Sequence, residues 1–161
     1  MKRFLLIALV GCNTLLLIAG WTMAFIAYPR LPKTIILWVN FLYQSPLRFE
    51  KNLAFFFYPL TQLILFILFL IVSLKPKIPS HINNDRLRLR LKELWQEQAW
   101  TALIFLNLIL IHLYRSLIFL SHGLKEGFQP TYFLILFILL FFLIPAYRLR
   151  VKMEMSSYHW R

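Results

Sequence analysis

The sequence predicts an all-α integral membrane protein with four transmembrane helices and both termini in the cytoplasm. The composition, the spacing of the apolar runs and the distribution of basic residues lead to this fold class. Of the 161 residues, 60% are hydrophobic and 15% are charged, whereas soluble domains are about half apolar and about a quarter charged. A water-soluble domain of this length cannot hide so much apolar surface, so the composition predicts insertion in a membrane.

The apolar residues fall into four runs of membrane-spanning length. About 20 apolar residues in a helix match the ~30 Å hydrocarbon layer. Lipid offers no hydrogen-bond partner to the backbone, so these runs must be helical. We predict a single domain whose spans cover residues 4–28, 53–74, 99–120 and 131–147.

The basic residues indicate the orientation, because Lys and Arg accumulate in cytoplasmic loops. Residues on one side of the predicted spans are Lys2, Arg3, Lys75, Lys77, Arg86, Arg88, Arg90, Lys92, Arg148, Arg150, Lys152 and Arg161, against Arg30, Lys33, Arg48, Lys51 and Lys125 on the other. This bias places both termini and the 75–98 segment in the cytoplasm. It also accounts for the net charge of +12, so no nucleic-acid partner is expected.

The first span begins with a pattern that has two interpretations. Leu9 to Cys12, after a basic start, resembles the lipobox of bacterial lipoproteins. Thr14 to Tyr28 then continues as an apolar stretch, where a processed lipoprotein would have a polar tether. We therefore favour a retained first helix. Cys12 is the single cysteine, so an intramolecular disulfide is excluded.

The outer loop, residues 29–52, is unusually apolar. Ile35 to Tyr43 is a run of mostly β-branched and aromatic residues bounded by Pro32 and Pro46. This pattern predicts a short strand or an interfacial segment. The bilayer surface, a neighbouring loop or a partner protein should cover it.

The first half of the chain resembles a bacterial domain of unknown function that occurs alone or ahead of the SdpI-type immunity domain. That domain has a Leu-Pro-x-x-Ile-Pro-x-His-x-Asn loop between two spans and a Lys before the second span. The matching residues here are Leu31, Pro32, Ile35, Asn40 and Lys51, whereas Ile36, Trp38 and Tyr43 replace the usual Pro, His and Gly.

The resemblance implies a small protein of the bacterial inner membrane with an immunity or sensing role. It implies no reaction. Since Trp38 stands in the position of the His, no metal or acid–base role is carried over to it.

Three neutral amides lie inside the predicted spans: Asn13, Gln62 and Asn107. Each is about 12–18 Å from the cytoplasmic end of its helix. Hydrogen bonds between helices are the favoured interpretation, and a polar substrate site at that level is the alternative.

The third span contains His112 and Arg115, with His122 just past its outer end. On a helical wheel these three residues fall within one sector. Arg115 can extend to the headgroup layer, and His112 can pack neutrally against a neighbouring helix. Contact with an anionic lipid, a quinone or a partner protein is the alternative. Because His112 is the only histidine at membrane depth, a haem with two histidine ligands from this chain is not expected.

The cytoplasmic segment 75–98 predicts a basic amphipathic helix. Leu87, Leu91 and Leu94 follow helical spacing. Its predicted contacts with anionic headgroups are made by Arg86, Arg88, Arg90, Lys92 and Trp95. Docking to a partner protein is the competing use of this segment.

No known catalytic motif stands out in the sequence. It contains no Gly-rich phosphate loop, nucleophile elbow or His-Glu metal motif, and none of its six acidic residues lies inside a span. We therefore predict no catalytic residue, metal or cofactor. An accessory or scaffold subunit of a larger membrane complex is the first hypothesis. The alternatives are an immunity or envelope-stress protein and a quinone- or lipid-binding subunit.

Overall fold

A computed structural model describes residues 2–38, 47–76, 84–124 and 130–159. Four of its helices are long and apolar enough to cross a membrane, which is typical of a multi-pass membrane protein. Predicting four membrane-length helices was therefore correct. The elements in chain order are α1 (Lys2–Arg30), β1 (Thr34–Trp38), β2 (Leu47–Glu50), a short 3-10 helix (Leu53–Phe56), α2 (Phe57–Leu74), α3 (Asp85–Ser121) and α4 (Pro130–His159).

Helix α3 includes most of the predicted cytoplasmic segment and the third span without a break. Its 37 residues make it about 55 Å long at 1.5 Å per residue. Asn84 caps its start, because its Oδ1 accepts hydrogen bonds from the backbone N–H groups of Arg86 at 3.0 Å and Leu87 at 3.2 Å. It ends before Gly123, whose φ of 79° is a left-handed conformation that glycine adopts without strain.

Helix α4 also continues past its predicted span, from residue 147 to His159. The N-terminal part of α3 and the C-terminal part of α4 thus both lie outside the predicted spans. We call residues 85–98 of α3 together with residues 147–159 of α4 the charged extension.

The helices do not form a closed bundle. Helix α3 packs against α1, α2 and α4, and α1 also packs against α2. Among the described elements, α4 has its extensive contacts with α3 alone. Helix α3 is therefore the centre of the molecule, and α4 is attached to it along one side.

The loop between α1 and α2 contains a β-hairpin that modifies the all-α prediction. β1 and β2 pair antiparallel, with Ile35 opposite Phe49 and an irregularity between Ile36 and Trp38. The predicted short strand is thus confirmed for residues 34–38, and residues 39–46 lie outside the described part of the chain. Ser121 Oγ accepts a hydrogen bond of 2.9 Å from the Ile36 N–H. The end of α3 thereby holds one strand of the hairpin.

An aromatic cluster beneath the hairpin joins α1, α2 and α3. The rings of Phe55 and Tyr114 are 4.9 Å apart, and those of Tyr58 and Tyr114 are 5.6 Å apart. Tyr58 donates a hydrogen bond of 2.7 Å to the Leu37 carbonyl. Ile35 is fully buried in this cluster, so a neighbouring part of the protein covers the inner side of the apolar loop.

Candidate functional site

An open groove of about 390 Å³ lies between the C-terminal ends of α1 and α3. The two helices run in the same chain direction and end at the same level. His122 joins them there, since its Nε2 is 3.2 Å from the Arg30 carbonyl oxygen and its Nδ1 is 2.8 Å from the Ile118 carbonyl oxygen. A neutral imidazole can donate only one of these hydrogen bonds, whereas an imidazolium can donate both. The groove is lined by Met23, Ile26, Ala27, Arg30, Arg115, Ile118, Phe119 and His122.

Arg115 is exposed, and its guanidinium points towards the C-terminal end of α3. Its Cζ lies 5.1 Å from the centre of the Phe119 ring, one helical turn further along α3, which is a cation–π distance. Within the described residues neither Arg115 nor Arg30 forms an ion pair with a carboxylate. The groove therefore combines two exposed guanidinium groups with an apolar floor.

The structure separates His112 from Arg115 and His122, which the helical wheel placed in the same sector. Its ring lies 4.4 Å from the ring of Tyr132 and 4.8 Å from that of Phe133, both on α4. The sector that contains His112, Arg115 and His122 is about 80° wide at 100° per residue. It straddles two sides of α3, one facing α4 and the other facing α1. A single site with all three residues is thus not formed, and His112 packs among aromatic rings.

Two of the predicted amides form a buried pair between α1 and α3. Asn107 donates a hydrogen bond of 3.1 Å from its Nδ2 to Asn13 Oδ1. Asn13 in turn donates from its Nδ2 to the carbonyl oxygens of Trp100 at 3.0 Å and Leu9 at 2.9 Å. Both amides are completely buried, so this arrangement fits the interhelical-packing interpretation.

Gln62 has a different environment from the other two amides. It is 2% exposed and packs against Gly20 of α1, where an added Cβ would overlap Gln62 Oε1. Its Nε2 has no hydrogen-bond partner among the described residues. Gly20 thus allows close approach of α1 and α2 at this amide, a use of small residues that is common between membrane helices.

The apolar stripe of the charged extension packs against α4. Leu94 is 1% exposed, and Leu87 and Leu91 are also buried. Their partners on α4 are Tyr147, Val151 and Met155. This pairing was not predicted from the sequence, although the four-residue spacing of the three α4 residues is the helical repeat that indicates such a packed face.

Ion pairs flank this stripe. Arg90 Nε is 2.8 Å from Glu154 Oε1, and its Nη1 is 3.1 Å from Glu93 Oε2. Arg150 Nη2 is 2.8 Å from Oε2 of the buried Glu97. Burial lowers the pKa of the Arg90 guanidinium, but hydrogen bonds and attraction from Glu154 and Glu93 outweigh it, so the pKa is raised. Arg90 therefore remains charged.

The predicted headgroup contacts are only partly available at the surface. Arg86, Arg88 and Lys92 are exposed, whereas Arg90 is engaged with α4. Trp95 donates a hydrogen bond of 3.0 Å from its Nε1 to the Val72 carbonyl at the end of α2. Contact of these residues with anionic headgroups stays a prediction.

Comparison with protein-family models, with curated proteins and with solved structures gave no match. In the described part of the chain, no group of three or more His, Cys, Asp or Glu residues is placed to hold a metal ion. Fold and site together define a class, a multi-pass membrane protein with a basic groove at one end of its central helix.

Proposed function

We propose that this chain is a non-catalytic accessory or scaffold subunit of a larger protein complex in the bacterial inner membrane. Both termini and the charged extension would lie in the cytoplasm, with the hairpin outside. The observation that carries the proposal is the one-sided attachment of α4, which leaves most of its circumference unpacked by this chain.

The exposed surface of α4 is rich in aromatic residues. Phe141 is 68% exposed and Phe142 is 66% exposed, whereas Phe133 and Leu136 are buried towards α3. Lipid alone can cover an apolar helix face. A helix with one interface inside its own chain also has room for a second interface with another membrane protein, formed by shape and packing.

Native co-purification in a mild detergent, followed by mass spectrometry, tests the accessory-subunit proposal. We expect a stoichiometric membrane protein to be retained. We expect the double substitution Phe141→Ala/Phe142→Ala to reduce that retention while the chain itself remains folded. Phe4→Ala on the exposed face of α1 (77% exposed) is the matched control and should retain the partner. A monodisperse chain with no bound protein would refute the proposal.

The proposed orientation has a separate test. In a Cys12→Ser background, Lys33→Cys and Ser157→Cys place single thiols at exposed positions on opposite ends of the molecule. A membrane-impermeant maleimide should label Lys33→Cys in intact cells with a permeabilised outer membrane. It should label Ser157→Cys only after the inner membrane is opened. The reverse labelling pattern would show that the protein has the opposite orientation in the membrane.

An immunity or envelope-stress role is a second candidate, favoured by the position of the residues that carry the family resemblance. Lys51 donates from its Nζ to the carbonyl oxygens of Pro29 at 3.3 Å and Leu31 at 3.4 Å. It also lies 4.9 Å from the centre of the Tyr28 ring. Leu31, which precedes the hairpin, and Ile35, which lies on β1, are both buried. These matching residues fasten the hairpin to the end of α1.

Deletion of the gene should then sensitise cells to a secreted toxin. We expect the wild-type chain to restore resistance, Lys51→Met to restore it poorly, and Lys33→Met, on the same side of the protein, to restore it fully. Unchanged sensitivity of the deletion strain across a toxin panel would remove this candidate.

A further inference from the structure

We propose that the groove between α1 and α3 is a binding site for an anionic phospholipid. The phosphate would lie between the guanidinium groups of Arg30 and Arg115, and one acyl chain would lie along the apolar floor. This inference goes beyond the accessory-subunit proposal, because it requires no protein partner.

The first observation in favour of an anionic ligand is the charge of the groove. Arg30, Arg115 and His122 come from two helices and meet at one opening. Among the described residues that line it, none is a carboxylate. Guanidinium groups match phosphate oxygens in geometry and charge. Two guanidinium groups that meet no carboxylate in the described part of the chain therefore favour an anionic ligand at this end of the groove.

The second observation is the distance of Arg115 from the opening of the groove. It is seven residues before His122, so its Cα is about 10 Å further along the helix axis from the opening. Its guanidinium nevertheless lies over Phe119, towards that opening. An arginine inside a predicted span is costly unless it reaches water, a headgroup or a counter-charge. A phosphate at the opening would supply the counter-charge.

The third observation is that the groove has an apolar floor and enough volume for an acyl chain. Its floor is formed by Met23, Ile26, Ala27, Ile118 and Phe119, which are all apolar. The volume of about 390 Å³ is within the range of ligand pockets. A ligand with a charged end and an apolar chain matches this arrangement. A quinone would leave both arginines without a counter-charge.

The test uses the full-length chain, delipidated in a mild detergent and titrated with phosphatidylglycerol or phosphatidylcholine during native mass spectrometry. We expect the wild type to retain phosphatidylglycerol in preference to phosphatidylcholine. One basic residue near an anionic headgroup changes affinity by about fivefold. We therefore expect Arg30→Gln/Arg115→Gln to bind phosphatidylglycerol about 25-fold more weakly.

Two variants separate this site from general attraction of charges. Arg48→Gln removes an exposed arginine from β2 and should leave the preference unchanged. Ile26→Trp should fill the groove and weaken binding while both arginines remain, and because Ile26 is 54% exposed this variant should fold. Circular dichroism checks the fold of each variant.

The proposal would be overturned if the wild type retained both lipids equally. It would also be overturned if Arg48→Gln lost the preference as strongly as the double variant, or if the groove variants left the preference intact. A quinone, or a partner helix cross-linked at Ile26 in place of lipid, would also overturn it. None of these results depends on whether the chain has a protein partner elsewhere.

Discussion

Helix α3 is stabilised in different ways along its two halves. In its predicted span, the amide pair Asn13–Asn107 and close-packed aromatic rings attach it to α1 and α2. In the charged extension, a leucine stripe and ion pairs attach it to α4. Lipid chains are as apolar as leucine, so burial of apolar groups adds little driving force within the membrane. In water the same burial is the main favourable term.

The largest effect that we expect contrasts two leucines on α3. Leu94→Ala should destabilise the charged extension by about 2–5 kcal/mol, because the transfer free energy of the buried side chain is lost and a cavity is left behind. Leu103→Ala, at a residue that is fully buried, should cost about 1–2 kcal/mol, because lipid removes most of the transfer term. Amide hydrogen exchange in nanodiscs measures each local opening energy. Equal losses of stability for Leu94→Ala and Leu103→Ala would contradict the expected difference between the two halves of α3.

The second effect concerns close approach of helices within the span. Gly20→Leu should cost about 1–3 kcal/mol by overpacking, since the added Cβ meets Gln62. Adding Gln62→Ala should recover part of this loss in thermal unfolding. Gly11→Leu is the matched control, because an added Cβ there meets no atom within 4 Å. If Gly11→Leu destabilised the chain as much as Gly20→Leu, the loss would come from something other than the contact with Gln62.

The third effect measures the buried amide pair. Asn107→Leu should cost about 0.6–2 kcal/mol, the usual contribution of an interhelical hydrogen bond in a membrane. The double variant Asn13→Leu/Asn107→Leu should cost less than the two single variants added together, because the residues act as a pair. Unfolding in mixed detergent micelles gives these values. Additive losses would show that the two amides act independently.

The smallest effect tests the ion pairs of the charged extension. Arg90→Gln should cost about 0.5–1 kcal/mol, and the loss should shrink in 1 M salt because ions screen the attraction. Arg86→Gln, at an exposed residue, should have almost no effect. Salt should leave the effect of Asn107→Leu unchanged. A salt-independent loss for Arg90→Gln would indicate lost packing.

The helices could be predicted because each is specified by local features. The apolar runs set their existence, and Asn84 marks the start of α3 by capping it. The strand at residues 34–38 follows from β-branched residues between prolines. The partners of these elements are non-local. Glu154 and Glu97 are far in the sequence from Arg90 and Arg150, so no spacing rule predicted their ion pairs.

The partners of the residues at the candidate site could likewise not be predicted from sequence spacing. The wheel placed His112, Arg115 and His122 in one sector; in the structure Arg115 and His122 line the groove, whereas the His112 ring packs against Tyr132 and Phe133. A wheel gives the direction of a side chain and no information on which helix it meets. Arg30 lines the groove because α1 packs on α3, which the wheel of α3 could not indicate.

Helices α3 and α4 continue about three to four turns past their predicted spans. Local sequence features were enough to predict that the four helices exist, the bounds of α1 and α2 to within about one turn, and the polar residues inside the spans. These properties depend on hydrophobicity and hydrogen bonding along a continuous stretch of chain. Three pairings are visible only in the folded molecule: Asn13 with Asn107, the apolar stripe of α3 with α4, and Arg30 with Arg115. These pairings depend on the rotation and neighbours of each helix, which are fixed by shape complementarity between residues that are distant in the sequence.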